Sequence, residues 1–302
     1  MMSRTVLILG ASGRFGRNAA NAFAQAGWTV RKFDRARDDL KQSLDGVQVV
    51  VNGWNPPDYT TWHRDLLPMH RRLMDAMQGS DATVILPANV YVFAPTAPAP
   101  WSERTKHAAP TPLGRMRVQV EDEYKRSGLR VIVLRCGDFL DTCASGQWFD
   151  LVMAPKVLRG KLTYPGRADI AHAWAYLPDV ARAAVHLVER RAQLPCYADI
   201  PFPGYTLTAL QMAEALERVT GRPMRVTQMA WWPLALLSPI KPLMRHLRAQ
   251  RYLWDTRHAL DGKLLRAVVP DFQMTPVDTA MAAAIQHLGP VPGPEAGQLP
   301  RA

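Results

Sequence analysis

The sequence predicts an α/β fold built on a doubly wound parallel sheet, and three observations carry that expectation. A β-branched and leucine run, Thr5 to Leu9, passes directly into the turn Gly10-Ala-Ser-Gly13-Arg-Phe-Gly16 and then into an alanine-rich stretch, which is how a βαβ unit begins. Short apolar runs then alternate with helix-period segments as far as residue 190, the order that yields a parallel sheet covered on both faces. At 302 residues the chain can bury one large core and still supply a smaller lobe.

The elements follow in order. Thr5 to Leu9 has the continuous apolar character of a strand buried on both sides. Asn18 to Ala26 is an alanine-rich helix stopped by Gly27. Trp28 to Phe33 is the second strand, closed by Asp34. A helix marked by Leu40 and Leu44 leads to the strand Val47 to Val51 and the loop Asn52-Gly-Trp-Asn-Pro-Pro57. A helix over Thr60 to Met77, a strand over Ala82 to Leu86, a proline-rich segment reaching Pro112, a helix over Gly114 to Ser127 and a strand over Leu129 to Leu134 continue the alternation. Beyond Asp141 the pattern loosens: a helix around Trp148 to Leu158 and a strand over Lys161 to Tyr164 are expected. A helix over Pro178 to Arg190, with proline in its first turn, returns to the main sheet. From Cys196 onward a strand, a helix over Thr206 to Thr220 and several Trp- and Pro-marked helices predict a smaller, mostly helical lobe. The expected division is therefore 1–195 for the sheet domain, 196–288 for the lobe, and a Pro/Gly-rich disordered tail over 289–302. No internal repeat is visible.

Composition narrows the function classes. A hydrophobic content of 48% with 21% charged residues is that of a folded globular chain. The longest apolar stretch, Ala230 to Met244, is broken by Pro233, Pro239 and Pro242 and carries Lys241, so no membrane span is expected. With no cleavable leader visible, a soluble cytoplasmic protein is the expectation. Cys136, Cys143 and Cys196 form no CxxC pair and are expected to be buried free thiols. The eight histidines form no HxxxH or HExxH pair, so no metal site is expected. The net charge of +11 either draws polyanions or is an arginine-rich solvated surface. No basic stretch is interleaved with aromatics, so no specific nucleic-acid partner is expected.

The glycine turn carries the strongest chemical signal. Glycines between a strand and a helix let backbone approach a diphosphate, and the helix start offers unpaired N–H groups and the positive end of its dipole. The expected fold is thus Rossmann-type, with Gly10, Ser12, Gly13, Arg14, Phe15 and Gly16 binding a dinucleotide. Asn52, at the end of the third strand, joins that set. Asp34 is placed to accept hydrogen bonds from the adenine ribose, favouring NAD, while Arg35 and Arg14 could neutralise a 2′-phosphate, favouring NADP. These signals cancel and both coenzymes stay open.

Four segments together resemble the extended short-chain dehydrogenase/reductase superfamily, the group of NAD-dependent nucleotide-sugar epimerases and dehydratases. They are Gly10-x-x-Gly13-x-x-Gly16; Val84-Ile-Leu-Pro-Ala-Asn-Val-Tyr91; Thr111-Pro-Leu-Gly-Arg-Met-Arg117 with Gly128-Leu-Arg-Val-Ile-Val-Leu-Arg135; and Trp174-Ala-Tyr-Leu-Pro-Asp179-Val-Ala181. The resemblance covers most of residues 5 to 190. It implies a catalytic serine, tyrosine and lysine, and these fall on Pro87, Leu113 and Arg117. A phenol whose pKa is lowered by a lysine moves the proton in that relay. Leu113 carries no proton to move, and Arg117 cannot serve as a base. The dozen residues between Asp34 and Val47 also leave no room for the strand the family usually carries there.

Replacement groups are sought at the ligand end of the sheet. Tyr91 is the candidate proton donor, against a packing role under the proline-rich loop. Asn89 is a candidate oxyanion donor, against a turn cap. Arg117 is retained as a candidate for the catalytic and cofactor sites. Trp148, Tyr164, His172, Trp174 and Tyr176, with Phe149 among them, form an aromatic set that would line a substrate pocket or be plain core. Asp179 most simply favours a helix start. Trp231 to Ile240 reads as a lid or core segment, or as a lipid or dimer surface. The functional expectation is an NAD(P)-binding oxidoreductase or epimerase-like protein acting on a small organic or sugar-type substrate. The alternative is a non-catalytic NAD(P)-sensing regulator, and a homodimer stays open.

Overall fold

The structure, a computed structural model, describes residues 4–290; most of the expected tail, 291–302, lies outside the described residues. The first βαβ unit consists of β1 (Thr5–Leu9), α1 (Arg14–Gln25) and β2 (Thr29–Phe33). The short α2 (Leu40–Ser43), β3 (Val49–Asn52), α3 (Trp62–Ala76), β4 (Thr83–Ala88), α4 (Pro112–Arg126) and β5 (Arg130–Arg135) follow. Then come β6 (Asp138–Leu140), β7 (Lys161–Tyr164), β8 (His172–Tyr176), α5 (Leu177–Glu189) and β9 (Tyr197–Pro201). The chain closes with β10 (Tyr205–Leu207), α6 (Ala209–Thr220), β11 (Arg225–Gln228), α7 (Trp232–Leu237), α8 (Pro242–Ala249), α9 (Lys263–Val268) and α10 (Val277–Ile285).

Six strands form one parallel sheet in the order β2-β1-β3-β4-β5-β9. Side chains alternate across a strand, and the two faces therefore draw on interleaved residues. Leu7, Leu9, Val50, Val84, Leu86, Val131 and Val133 pack on one side, where α3 meets α4. Val6, Ile8, Val49, Val51, Ile85, Ile132 and Leu134 pack on the other, where α1 meets α5. This double burial is why the strands read as unbroken apolar runs.

The chain leaves β1 for β2 on one side and returns to β3 on the other. That reversal opens a crevice beyond the carboxyl ends of β1 and β3, the usual ligand position in such sheets. Two expectations need correction. β9 is the sixth strand of the main sheet, so the sheet continues past the boundary expected at residue 195, and α5 is the crossover that a parallel strand requires. The smaller lobe draws on chain from both sides of that boundary, because β8 pairs with β6 and β10, and β7 pairs with β11. The helix expected over 148–158 is a five-residue π turn, Phe149–Met153, and a single 3₁₀ turn, Val157–Arg159. No helix among the described residues is long and apolar enough to cross a membrane.

Candidate functional site

α1 begins at Arg14, four residues before the sequence pattern places it, because the glycine turn itself winds into the helix. Gly10 has φ +73° and its carbonyl accepts from the Gly13 N–H at 2.9 Å. A Cβ at Gly16 would stand 2.2 Å from the Gly10 carbonyl oxygen, and one at Gly10 would stand 2.8 Å from the Gly53 oxygen. These two glycines therefore serve the packing of turn, helix and β3 exit. Gly13 is different: its Cβ would meet only the Gly10 oxygen, at 3.1 Å, and Gly13 is exposed at the helix N-cap with no side chain capping the helix. The exposed Ser12-Gly13-Arg14 turn and the uncapped helix start fit a diphosphate. Phe15 is buried and anchors the turn from beneath.

Arg14 does not point to the adenosine end. Its Nε donates to the Ser145 carbonyl at 2.7 Å and its Nη2 to that of Gly146 at 3.0 Å, tying the loop after β6 to the glycine turn. Arg17 and Asn18 both donate to the buried carboxylate of Asp141 at the same junction. At the end of β2, Asp34 is 52% exposed and lies 3.5 Å from Arg37 Nε, while its Oδ1 accepts from the Ala36 N–H. Arg35 lies over the Trp54 ring, 6.0 Å from its centroid. Asn52 takes another course: its Nδ2 donates to Tyr124 Oη at 2.8 Å and lies 3.0 Å from His70 Nδ1, all three side chains being buried. It ties β3 to α3 and α4, and its side chain is spent on that strut.

Leu113, Pro87 and Arg117 stand at the positions where the resemblance implies catalytic groups. Leu113 is fully buried in the apolar core, and Pro87 lies within β4. Arg117 donates from Nη2 to Asn55 Oδ1 at 2.6 Å and lies over the Trp62 ring at 4.4 Å. Its Nε has no partner, and burial lowers its pKa, a tendency that Glu121, Tyr59 and Tyr91 oppose. Tyr91 Oη sits 3.0 Å from Tyr59 Oη. Burial holds the Tyr91 phenol well above its ordinary range, and it raises Tyr59 as well. Both therefore rest protonated at neutral pH. Asn89 caps its turn, its Oδ1 accepting from the Tyr91 N–H at 3.0 Å. Sequence reading missed Tyr59, Asn55 and Trp62. Their one signal was position, in the stretch that leaves β3 at the ligand end of the sheet.

The expected substrate residues gather around one tryptophan that the sequence did not flag. His172 stacks on Trp254 at 4.3 Å and 8°. Tyr164, Trp148 and Trp174 approach the same ring at 5.5, 5.5 and 5.9 Å. Tyr164, His172 and Trp174 are buried, and Phe149 with them. Tyr176 is also buried, at the start of α5. His172 Nε2 is 2.7 Å from Asp138 Oδ2, whereas Tyr164 Oη and Trp174 Nε1 have no partner. Of two surface depressions of about 510 and 410 Å³, the first is lined from Ala94 to Ala108 and the second by Tyr164, one of the expected substrate residues, with Arg167, Asp169, Leu210 and Gln228. Neither includes the glycine turn.

Three further groups are structural. Asp179 accepts from the Thr275 N–H and hydroxyl, both at 2.7 Å, and from Arg182. His107, Glu121 and Asp199 converge closely enough to hold a cation, but the guanidinium of Arg135 stands 2.6 Å from both carboxylates and is that cation. Of the cysteines only Cys136 is buried; Cys143 is half-buried and Cys196 exposed, and all three are free.

Similarity at the level of fold is extensive. The structure of UDP-glucose 4-epimerase from Brucella ovis in complex with NAD superposes with a TM-score of 0.72 at 17% identity, covering 95% of this chain and 99% of the other. MoeE5 in complex with UDP-glucose and NAD gives 0.70 at 16%, covering 94% and 98%. TunA, an NAD-dependent NDP-hexosamine 5,6-dehydratase of tunicamycin biosynthesis, gives 0.72 at 15%, covering 94% and 97%. This chain has their fold. No protein-family profile and no curated protein matches the sequence.

Proposed function

We propose that the protein binds NAD at the Ser12-Gly13-Arg14 turn and acts as an oxidoreductase or epimerase-like enzyme on a small organic or sugar-type substrate. The observation that carries the proposal is the uncapped, solvent-open helix start at the switch point of the sheet, beside glycines whose packing keeps the turn in shape. The similarity of fold to NAD-bound sugar-nucleotide enzymes supports it. Asp34, at the end of β2, would meet the adenine ribose, and its carboxylate disfavours a 2′-phosphate. Arg14 is held by the loop after β6, which removes one of the two cations that favoured NADP.

The dinucleotide would supply or accept hydride at its nicotinamide. In the reducing direction the Tyr91 hydroxyl gives its proton to the substrate oxygen as the C–O π pair becomes an alkoxide. The Tyr59 hydroxyl, 3.0 Å away, donates to the phenolate left behind, and the positive charge of Arg117 stabilises it. Asn55 and Trp62 fix that guanidinium. In the oxidising direction the same phenol would have to be a base, and its burial opposes this. Reduction is the favoured sense.

A non-catalytic nucleotide sensor is the second reading, favoured by the buried Leu113 and the buried aromatic cluster around Trp254. Oxidation of NADH across a panel of carbonyl compounds and 4-keto sugar nucleotides separates the two. The enzyme reading expects turnover that Tyr91→Phe lowers by about a hundredfold; binding of NADH without turnover of any of them establishes the sensor.

A further inference from the structure

The described residues expose seven large hydrophobic side chains, and four of them fall within nine consecutive positions: Trp232 at 68%, Leu236 at 70%, Leu237 at 39% and Ile240 at 80%. A soluble surface seldom gathers apolar groups this way without a partner. Trp232, Leu236 and Ile240 are spaced four apart, so α7 and the turn after it carry them as one stripe. Lys241, Arg245 and Arg248, all exposed, recur at intervals of four and three and share one face of α8. Neither helix contains a buried residue. The pair is nonetheless built and anchored. Trp231 is buried and donates from Nε1 to the Pro165 carbonyl at 2.6 Å, and Arg248 Nη1 reaches Ser238 Oγ at 2.7 Å to join the two helices.

We infer that α7 and α8 form a docking surface for an anionic lipid bilayer. Tryptophan and aliphatic groups beside a cationic face are the combination that settles at the boundary of headgroup and acyl chain. The cations complement an anionic leaflet, and the net charge of +11 adds long-range attraction to it. A second copy of the chain fits less well. In a two-fold dimer the same patch meets itself, which would set Lys241 and Arg245 against their own counterparts.

Vesicle sedimentation with the full chain tests this. Phosphatidylcholine vesicles containing about a third phosphatidylserine are expected to carry the protein down, and pure phosphatidylcholine vesicles are not. Raised salt releases it. Trp232→Ser with Ile240→Ser, and separately Lys241→Glu with Arg245→Glu, each lower the partition about tenfold with melting temperatures unchanged, since these side chains are exposed. Brominated lipids quench part of the tryptophan emission in the wild type, and the Trp232→Ser with Ile240→Ser variant loses that quenching. The inference is overturned by absence of partition into anionic vesicles, or by partition that neither double variant reduces. It is equally overturned by a dimer in sedimentation velocity that the serine variant dissolves while vesicle binding is absent throughout.

Discussion

Under the proposed function, burial sets the chemistry of the Tyr91–Tyr59 pair. In the relay that the resemblance implies, a lysine beside the phenol holds it near neutrality. Here an arginine stands at that place, bound to Asn55 and Trp62, and burial dominates. The consequence is a pH profile. Because the Tyr91 pKa lies well above its ordinary value, the acid form persists across the physiological range, and kcat/KM for reduction is expected to show no fall from neutrality up to pH 9. A second consequence of burial concerns stability. His70 is fully enclosed and its pKa is pushed down to about 3, with burial the first cause and Arg117 the second. The unfolded chain takes up a proton near pH 6.5 that the folded chain refuses until about 3. Stability is therefore complete above the unfolded value and falls as pH drops, by on the order of 2 kcal/mol at pH 5 from this group alone. Thermal melts at pH 7.5 and 5 measure the loss, and His70→Gln is expected to flatten it. At Arg135 the balance is electrostatic: two carboxylates at 2.6 Å hold a guanidinium with no exposed surface. Glu121→Ala leaves that charge half-paired in the core, and denaturant unfolding should register a loss of about 3–5 kcal/mol.

The glycine turn separates packing from binding within a single element. Gly16→Ala drives a Cβ into the Gly10 carbonyl oxygen at 2.2 Å and has backbone on both sides, so it should cost about 1–3 kcal/mol or more. Gly13→Ala meets that oxygen at 3.1 Å and is expected to leave the melting temperature close to wild type while weakening dinucleotide binding about tenfold. Melting and binding measured on both variants distinguish the roles. The same element explains what the sequence made legible. β1, the turn and α1 are local: five apolar residues, three glycines and an alanine-rich helix specify them with little help from the rest of the chain. β9 is expected in the lobe, because five residues, Tyr-Ala-Asp-Ile-Pro with a charge at their centre, do not announce which sheet they join. The 148–158 segment has helical spacing but packs as π and 3₁₀ turns around Trp254, a residue a hundred positions away. Tyr59 and Asn55 were illegible for a related reason, since their roles arise only when α4 brings Arg117 over the loop that follows β3.

For the whole molecule, the parallel sheet sets the glycine turn, the Tyr59–Tyr91 pair and Arg117 at the carboxyl ends of its strands. Arg14, Arg17 and Asn18 tie the glycine turn and α1 to the loop after β6. The aromatic residues of the smaller lobe serve mainly to hold that lobe together, with Trp254 at their centre. Coenzyme binding is the central claim. Calorimetric titration of the full chain with NADH and with NADPH is predicted to give one site per chain, tighter for NADH by about tenfold. Heat signals that stay at the level of dilution for both coenzymes at millimolar concentration would contradict it.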